Sequence, residues 1–218
     1  MNAGFAKCSE DVPGTFRSAW HVPATWRAAV ATVASTLLLV ADSYHILWED
    51  RLLTRTLLYL VVPLGIVLLV FREHPARYGV QLGDWRAGLR WTLGACAGLA
   101  ALMAFVARTP SFREYYGTAA SGRLFWLADG AELLGWEFFF RGFLLFALYR
   151  ACGPLALLLQ AVPFTMAHIG KPELETLSCI FGGAAFGYIA WRTRSFLYPF
   201  LIHWFLASFT AVVAGISG

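Results

Sequence analysis

A glutamate and an arginine interrupt an otherwise apolar stretch near the middle of this chain. They are Glu137 and Arg141, in the segment GAELLGWEFFFRGFLLFALYR. Residues four apart lie on one face of a helix, about one turn from each other. We therefore expect the two charges to pair, because pairing lowers the cost of burying each of them. Taken alone, such a pair fits a structural salt bridge as well as it fits a functional site, although ionisable residues inside membrane helices generally mark function.

Two histidines lie in later apolar segments. His168 ends the segment PFTMAHIG, and His203 lies in the middle of FLIHWFLAS. A single histidine in such a segment can be a core residue bonded to a neighbouring carbonyl group. Two histidines and a Glu–Arg pair on three separate helices, however, form a set that can move protons within one cavity. The sequence therefore predicts a catalytic site, made by Glu137, Arg141, His168 and His203, in a polar cavity between these helices.

Three short motifs in this order resemble a known family. WEFFFRG, FTMAH and HWFLA are similar to the motifs of the CAAX protease and bacteriocin-processing family of intramembrane glutamic endopeptidases. The family pattern is Glu-Glu-xxx-Arg, then Phe-xxx-His, then His-xxx-Asn, each on its own helix. The resemblance places Glu137 on the second glutamate and Arg141 on the arginine, Phe164 and His168 on the second motif, and His203 on the histidine of the third.

The resemblance covers about residues 124–214 and leaves two family positions unmatched. Trp136 stands where the family has its first glutamate, and Ala207 stands where it has the asparagine. In the family, the first glutamate and the second-motif histidine are thought to activate water. The third-motif histidine and asparagine are thought to stabilise the oxyanion. The departures therefore affect both halves of the mechanism.

For this chain, the resemblance implies a modified set of roles. Glu137 is expected to act as the base together with His168, with Arg141 holding the carboxylate in place. His203 is expected to donate to the developing oxyanion. Other acidic residues near the motifs are further candidates for the base. They are Glu132, Glu173 and Glu175, of which Glu175 is expected in a solvated loop.

Two substitutes for the missing groups are not favoured. Ser208 follows Ala207, but neighbouring residues on a helix point about 100° apart. A zinc ion could use one glutamate and two histidines as ligands, but the chain has no HExxH pattern, and Arg141 beside Glu137 opposes a bound cation. We therefore expect metal-free chemistry with no cofactor.

The composition indicates a membrane protein. The chain is 59% hydrophobic and 14% charged, whereas an average soluble domain is about 25% charged. The net charge of +4 comes from scattered basic residues, which fit loops at anionic lipid headgroups and do not indicate nucleic-acid binding. We expect one membrane-embedded domain at 26–218 after a polar N-terminal segment, 1–25, that lacks the pattern of a signal peptide.

Apolar runs predict an all-α bundle of about seven transmembrane helices. The runs are 26–48, 54–71, 91–107, 124–148, 153–168, 175–191 and 195–214. A loop with a short amphipathic surface helix is predicted at 72–90, and Gly183 and Gly187 predict close helix packing.

The loop charges predict the orientation. Apart from Arg141, ten Lys and Arg residues fall on the side of the N-terminus and six on the other, which predicts a cytoplasmic N-terminus. We expect the membrane to be the plasma membrane.

Together, these patterns predict an intramembrane endopeptidase. It would hydrolyse a peptide bond near the membrane-anchored or prenylated end of a protein in the lipid bilayer, with water activated by Glu and His. The departures at Trp136 and Ala207 keep open a non-catalytic membrane scaffold or immunity-type protein of the same fold. A proton-coupled transporter would also use buried Glu and His, but no inverted repeat is visible.

Overall fold

In the part of the chain that the computed structural model describes, helices account for all the regular secondary structure. The structure describes residues 23–46, 49–119 and 125–216, with side chains from residue 25 onwards. The predicted all-α fold class is confirmed. The predicted N-terminal segment 1–25 lies, apart from its last residues, outside the described residues.

The helices in the described ranges are numbered here α1 to α8. They are α1 (Pro23–Tyr44), α2 (Arg51–Val70), α3 (Trp85–Val106), α4 (Pro110–Tyr116), α5 (residues 125–152), α6 (residues 156–166), α7 (Glu173–Thr193) and α8 (Leu197–Ile216). Helix α2 includes two π-helical turns. Helix α5 is α-helical over Phe125–Glu137, π-helical over Phe138–Leu144 and α-helical again over Leu145–Cys152.

Five helical stretches in the described ranges are long and apolar enough to cross a membrane. They are α2, α3, the run Phe125–Met166 that contains α5 and α6, α7 and α8. The run is interrupted by the 3₁₀ turn Gly153–Leu155, after which α6 returns along α5. Of the seven predicted spans, the first corresponds to α1, which is not among the five, and the fourth and fifth share this run. The chain is an integral membrane protein.

Two short elements differ from the predicted ones. In the predicted 72–90 loop, only Pro75–Tyr78 forms a 3₁₀ turn, and residues 85–90 are the beginning of α3. The prediction of a separate surface helix there is wrong, because Asp84 caps α3 by accepting a hydrogen bond from the Ala87 amide at 3.0 Å and the helix continues without a break. Helix α4 was not predicted; it begins with a proline in its first turn.

The core lies around the middle of α5. Its phenylalanines Phe138, Phe139, Phe140 and Phe143 have no exposed surface, because helices pack around this segment on every side. An apolar stretch with such an all-round burial is what a central helix of a bundle requires. Every residue of the segment 136–145 is buried.

Helices α6 and α7 pack closely, and this contact places the second histidine. A Cβ on Gly183 would lie 3.0 Å from the Ala161 side chain, and one on Gly187 would lie 2.8 Å from the Gln160 amide nitrogen. The buried Gln160 side chain also donates to the Gly183 carbonyl at 2.7 Å. The prediction that these two glycines serve helix packing is confirmed.

The short length of α6 sets the depth of His168. A helix over residues 156–166 is about 16 Å long, roughly half the thickness of a bilayer core. Its last turn therefore lies beside the middle of α5, where the Phe164 ring contacts the rings of Trp136 (6.4 Å between centroids) and Phe140 (5.3 Å). His168, in the turn that follows, is held at the level of the first motif.

Candidate active site

Glu137 and Arg141 lie where α5 changes from α-helix to π-helix. Glu137 ends the α-helical part, and Arg141 lies inside the π-helical segment, a local geometry that is often found at functional sites. The Arg141 Nη1 atom donates to Glu137 Oε1 at 3.0 Å, and both side chains have no exposed surface. The predicted pairing of the two charges is confirmed.

His203 joins this pair from α8. Its Nδ1 atom lies 2.7 Å from the same Glu137 oxygen, Oε1. A carboxylate accepts hydrogen bonds and cannot donate them when ionised, so Nδ1 of His203 carries a proton and donates it to Glu137. The Glu137 carboxylate therefore fixes the orientation of this ring and leaves its Nε2 atom on the opposite side.

His168 is oriented by its own helix. Its Nδ1 atom lies 2.7 Å from the main-chain carbonyl oxygen of Phe164. A carbonyl only accepts hydrogen bonds, so Nδ1 donates and Nε2 of the neutral ring carries a lone pair. The main chain around His168 is fixed as well, because the Thr176 hydroxyl donates to its carbonyl oxygen at 2.8 Å.

The ring of Phe164 contacts three of the four predicted site residues. The Arg141 guanidinium lies 3.8 Å from the ring centre, and the rings of His168 and His203 lie at 4.4 Å and 6.1 Å between centroids. A cation this close to an aromatic face is stabilised by the ring quadrupole, the more so when it is desolvated. Residues from α5, α8 and the turn after α6 thus converge on one aromatic side chain of α6, and Glu137 joins them through its bonds to Arg141 and His203.

The cluster is closed. His168 and His203 are 3% and 8% exposed, and Glu137 and Arg141 are fully buried, so the predicted polar cavity does not reach the ion pair in this conformation. Three atoms of that pair have no hydrogen-bond partner: Glu137 Oε2, Arg141 Nε and Arg141 Nη2. Unpaired charged atoms are costly in such surroundings.

Trp136 occupies the position of the missing first glutamate. Its ring contacts that of His168 edge to face, with 6.1 Å between centroids. The Arg55 guanidinium of α2 lies 5.6 Å from the Trp136 ring centre. An apolar ring thus takes the place beside His168 that the family resemblance reserves for a carboxylate.

The remaining acidic candidates lie apart from the histidines. Glu132 forms an ion pair with Arg55, which also contacts Asp42 at 3.3 Å. Glu173 is exposed in the first turn of α7. Glu175 also lies in that first turn, and the prediction that it lies in a solvated loop is wrong: it accepts hydrogen bonds from the Tyr116 hydroxyl at 2.8 Å and from Lys171 at 2.9 Å.

Ser208 is engaged away from the cluster as well. Its hydroxyl lies 3.5 Å from a carboxylate oxygen of Asp129, which agrees with the expectation that it does not replace the asparagine at position 207. Arg55 is the ionisable residue that the sequence reasoning missed. Asp42 and Glu132 both lie in predicted spans, and carboxylates in such positions need a basic partner. Their presence could therefore have indicated Arg55.

Comparison with protein families agrees with the motifs. Residues 131–209 match the family model described as type II CAAX prenyl endopeptidase Rce1-like. This segment contains all three motifs and a little over a third of the chain. The resemblance to the CAAX protease family that the motifs predict is thereby confirmed. Neither a curated protein nor a solved structure matches the chain.

Proposed function

We propose that this protein is an intramembrane endopeptidase that cleaves near the membrane-anchored or prenylated end of a protein substrate. The observation that carries the proposal is the convergence of His168 and His203 on one cluster with Glu137 and Arg141. In both histidines Nδ1 forms a hydrogen bond, so Nε2 is the ring nitrogen that can act on a substrate. This cluster lies in the segment that matches the CAAX prenyl endopeptidase family.

The hydrogen bonds favour His168 as the group that takes the proton from water. Its Nε2 lone pair is available, because Nδ1 donates to the Phe164 carbonyl. The Oε1 atom of Glu137, in contrast, already accepts from Arg141 and His203. Glu137 then contributes through Oε2, which is unpaired, by orienting the same water molecule.

His203 supplies the electrophilic side of the reaction in this proposal. Water activated at His168 attacks the peptide carbonyl, and the proton moves to His168 Nε2. The developing oxyanion is stabilised by the Nε2–H of a protonated His203, whose charge is balanced by Glu137. Collapse of the tetrahedral intermediate breaks the C–N bond. The amine leaves with the proton from His168, and the other product is a carboxylic acid.

The closed packing requires that the cluster opens for the substrate. Phe164 covers the Arg141 guanidinium at 3.8 Å, and Phe186 of α7 lies 5.3 Å from it. Movement of these rings would admit both water and an extended peptide to the unpaired atoms of the ion pair. A membrane-anchored substrate would reach the cluster from within the bilayer. Water must enter with it, because lipid supplies neither water nor hydrogen-bond donors.

The test is a cleavage assay with the purified full chain in detergent. The substrate is a fluorogenic peptide with a farnesylated CAAX terminus, compared with the same peptide without the isoprenoid. His168→Ala and His203→Ala should each lower cleavage by about 10²–10⁴, the usual contribution of proton transfer. His45→Ala is the matched control, because His45 is exposed and outside the cluster.

The assay also separates the enzyme from a binding protein of the same fold. Cleavage by His168→Ala within about twofold of wild type, where a loss of 10²–10⁴ is expected, would contradict the proposed role of His168. Folded wild-type protein that retains the farnesylated peptide but does not cleave it would favour the non-catalytic scaffold. The contact between Trp136 and His168 is the observation that supports this second candidate.

A further inference from the structure

A pocket with a cationic rim lies at the end of the bundle where α5 and α7 end. Its volume is about 260 Å³; Arg77, Arg150 and Arg194 form the rim, and Phe146, Tyr149 and Trp191 form the apolar wall. Arg150 lies in the last turn of α5, and Arg194 directly follows α7. The ends of spanning helices lie at the membrane interface, where Tyr and Trp side chains are enriched. The pocket is therefore at the level of the lipid headgroups.

The charge around the pocket is unbalanced. Among the described residues, the one carboxylate in contact with the rim arginines is that of Glu73, which is shared by three guanidinium groups. It contacts Arg27 at 3.8 Å, Arg77 at 3.0 Å and Arg150 at 2.5 Å. Glu73 thus supplies one negative charge beside the three rim arginines, which leaves an excess of two positive charges. Such a site attracts an anion.

Arg194 provides a second, independent observation. Its φ angle is 57°, in the left-handed region, at the C-cap of α7. Glycine or asparagine usually occupies this position, and a bulky residue there costs free energy that is often associated with function. The turn is also held in place, because the Gln81 side chain donates to the Arg194 carbonyl at 3.1 Å. The backbone thus bears strain while an arginine is kept on the pocket rim.

We propose that this pocket binds the phosphate headgroup of an anionic membrane lipid. The guanidinium groups of Arg77 and Arg194 contact the phosphate oxygens, for which arginine is well suited. Arg150 donates to Glu73 and to the main-chain carbonyl of Arg77 at 3.0 Å, so it contributes a fixed positive charge. Arg77 also donates to Glu73, through Nη1, but most of its side chain is exposed to a ligand. The apolar wall contacts the first carbons of the acyl chains. This inference is independent of the proposed peptidase activity.

The experiment measures lipid retention by native mass spectrometry of the purified, delipidated full chain. Phosphatidylglycerol is compared with phosphatidylcholine of the same acyl chains. The pocket variant is Arg77→Gln with Arg194→Asn. The matched control is Arg108→Gln with Arg113→Gln, which removes the same charge from exposed residues at the other end of the bundle.

Wild type and the control should retain phosphatidylglycerol in preference to phosphatidylcholine, and the pocket variant should lose about tenfold or more of this retention. Equal retention of both lipids, or equal loss in both variants, overturns the proposal. Displacement of the lipid by millimolar inorganic phosphate overturns it too, because the ligand is then a free anion. If the double variant does not fold, Arg194→Asn alone carries the test, since asparagine suits the left-handed position.

Discussion

Removal of the Arg141 guanidinium should destabilise the protein strongly. In Arg141→Met, the Glu137 carboxylate loses the donor at 3.0 Å and remains fully buried with only His203 beside it. Breaking a buried pair by removing one partner costs about 3–5 kcal/mol. Methionine fills much of the volume, so a cavity adds little to this figure. The lost contact with the Phe164 ring, at 3.8 Å, places the expected loss towards the upper end.

A double-mutant cycle isolates the electrostatic part of this loss. Glu137→Gln alone leaves an unpaired buried cation and should cost a similar amount. Glu137→Gln with Arg141→Met removes both charges, and replacement of both partners of a buried pair is often close to neutral. We therefore expect the double variant to be more stable than either single variant, so that the coupling free energy exceeds the cost of one single change, about 3–5 kcal/mol.

The measurement is the free energy of unfolding in detergent micelles, obtained from reversible denaturation. Arg108→Met is the matched control, because Arg108 is exposed and should change stability by less than about 0.5 kcal/mol. If Arg141→Met keeps wild-type stability, the ion pair does not stabilise the core. If the double variant is as unstable as the sum of the single variants, the loss is due to packing and not to unpaired charge.

Two further changes test the structure around the site. Gly142→Ala should lower the free energy of unfolding by about 1–3 kcal/mol through overpacking, because the new Cβ would lie 2.7 Å from the Phe138 ring. The control Gly94→Ala, whose Cβ meets open space, should leave stability unchanged. Equal melting temperatures for the two variants would refute the clash. Burial raises the pKa of the Glu73 carboxyl, but hydrogen bonds from Tyr78 and the neighbouring guanidinium groups outweigh it and hold the pKa below its ordinary value of 4.5. The resulting stability is present above pH 4.5 and lost as the pH falls through the lower folded-state pKa. The melting temperature of wild type should therefore fall more between about pH 5 and pH 3 than that of Glu73→Gln, and parallel curves would contradict this.

Local contacts of the site could be predicted from the sequence because they follow helix periodicity. Glu137 and Arg141 are four residues apart, and a helix brings such side chains together whatever surrounds it. Gly183 and Gly187 could be assigned to helix packing for the same reason, since their spacing places both on one face. The membrane class follows from composition, because so few charged residues cannot cover a soluble surface, and the all-α fold follows from the length of the apolar runs.

Contacts between helices could not be predicted from spacing. His203 reaches Glu137 across 66 positions of the chain, and only the packing of α8 against α5 brings them together. The π-helical segment Phe138–Leu144 has no signal in the pattern of apolar residues, because every side chain there is buried. The closed state of the cluster could not be predicted either, because a motif indicates which groups meet and not whether water reaches them.

The contact between Trp136 and His168 allows one substitution to test whether the cluster is arranged for catalysis. Trp136→Glu removes a ring that lies 6.1 Å from the His168 ring and places a carboxylate where the family motif has one. Arg55, which lies 5.6 Å from the ring centre, is near enough to pair with this carboxylate.

Loss of the buried indole should lower stability by about 3–5 kcal/mol, so activity must be measured per folded molecule. The control is Trp136→Gln, which opens the same space without a charge. A carboxylate acting with His168 on water should make Trp136→Glu about 10²–10⁴ times faster than Trp136→Gln in the farnesylated-peptide assay. Equal rates would mean that the space left by the indole, and not the added carboxylate, determines the rate of cleavage. If neither variant nor wild type cleaves the peptide, His168 and His203 are not positioned for hydrolysis, and the buried Glu137–Arg141 pair then serves to hold the helices of a binding protein together.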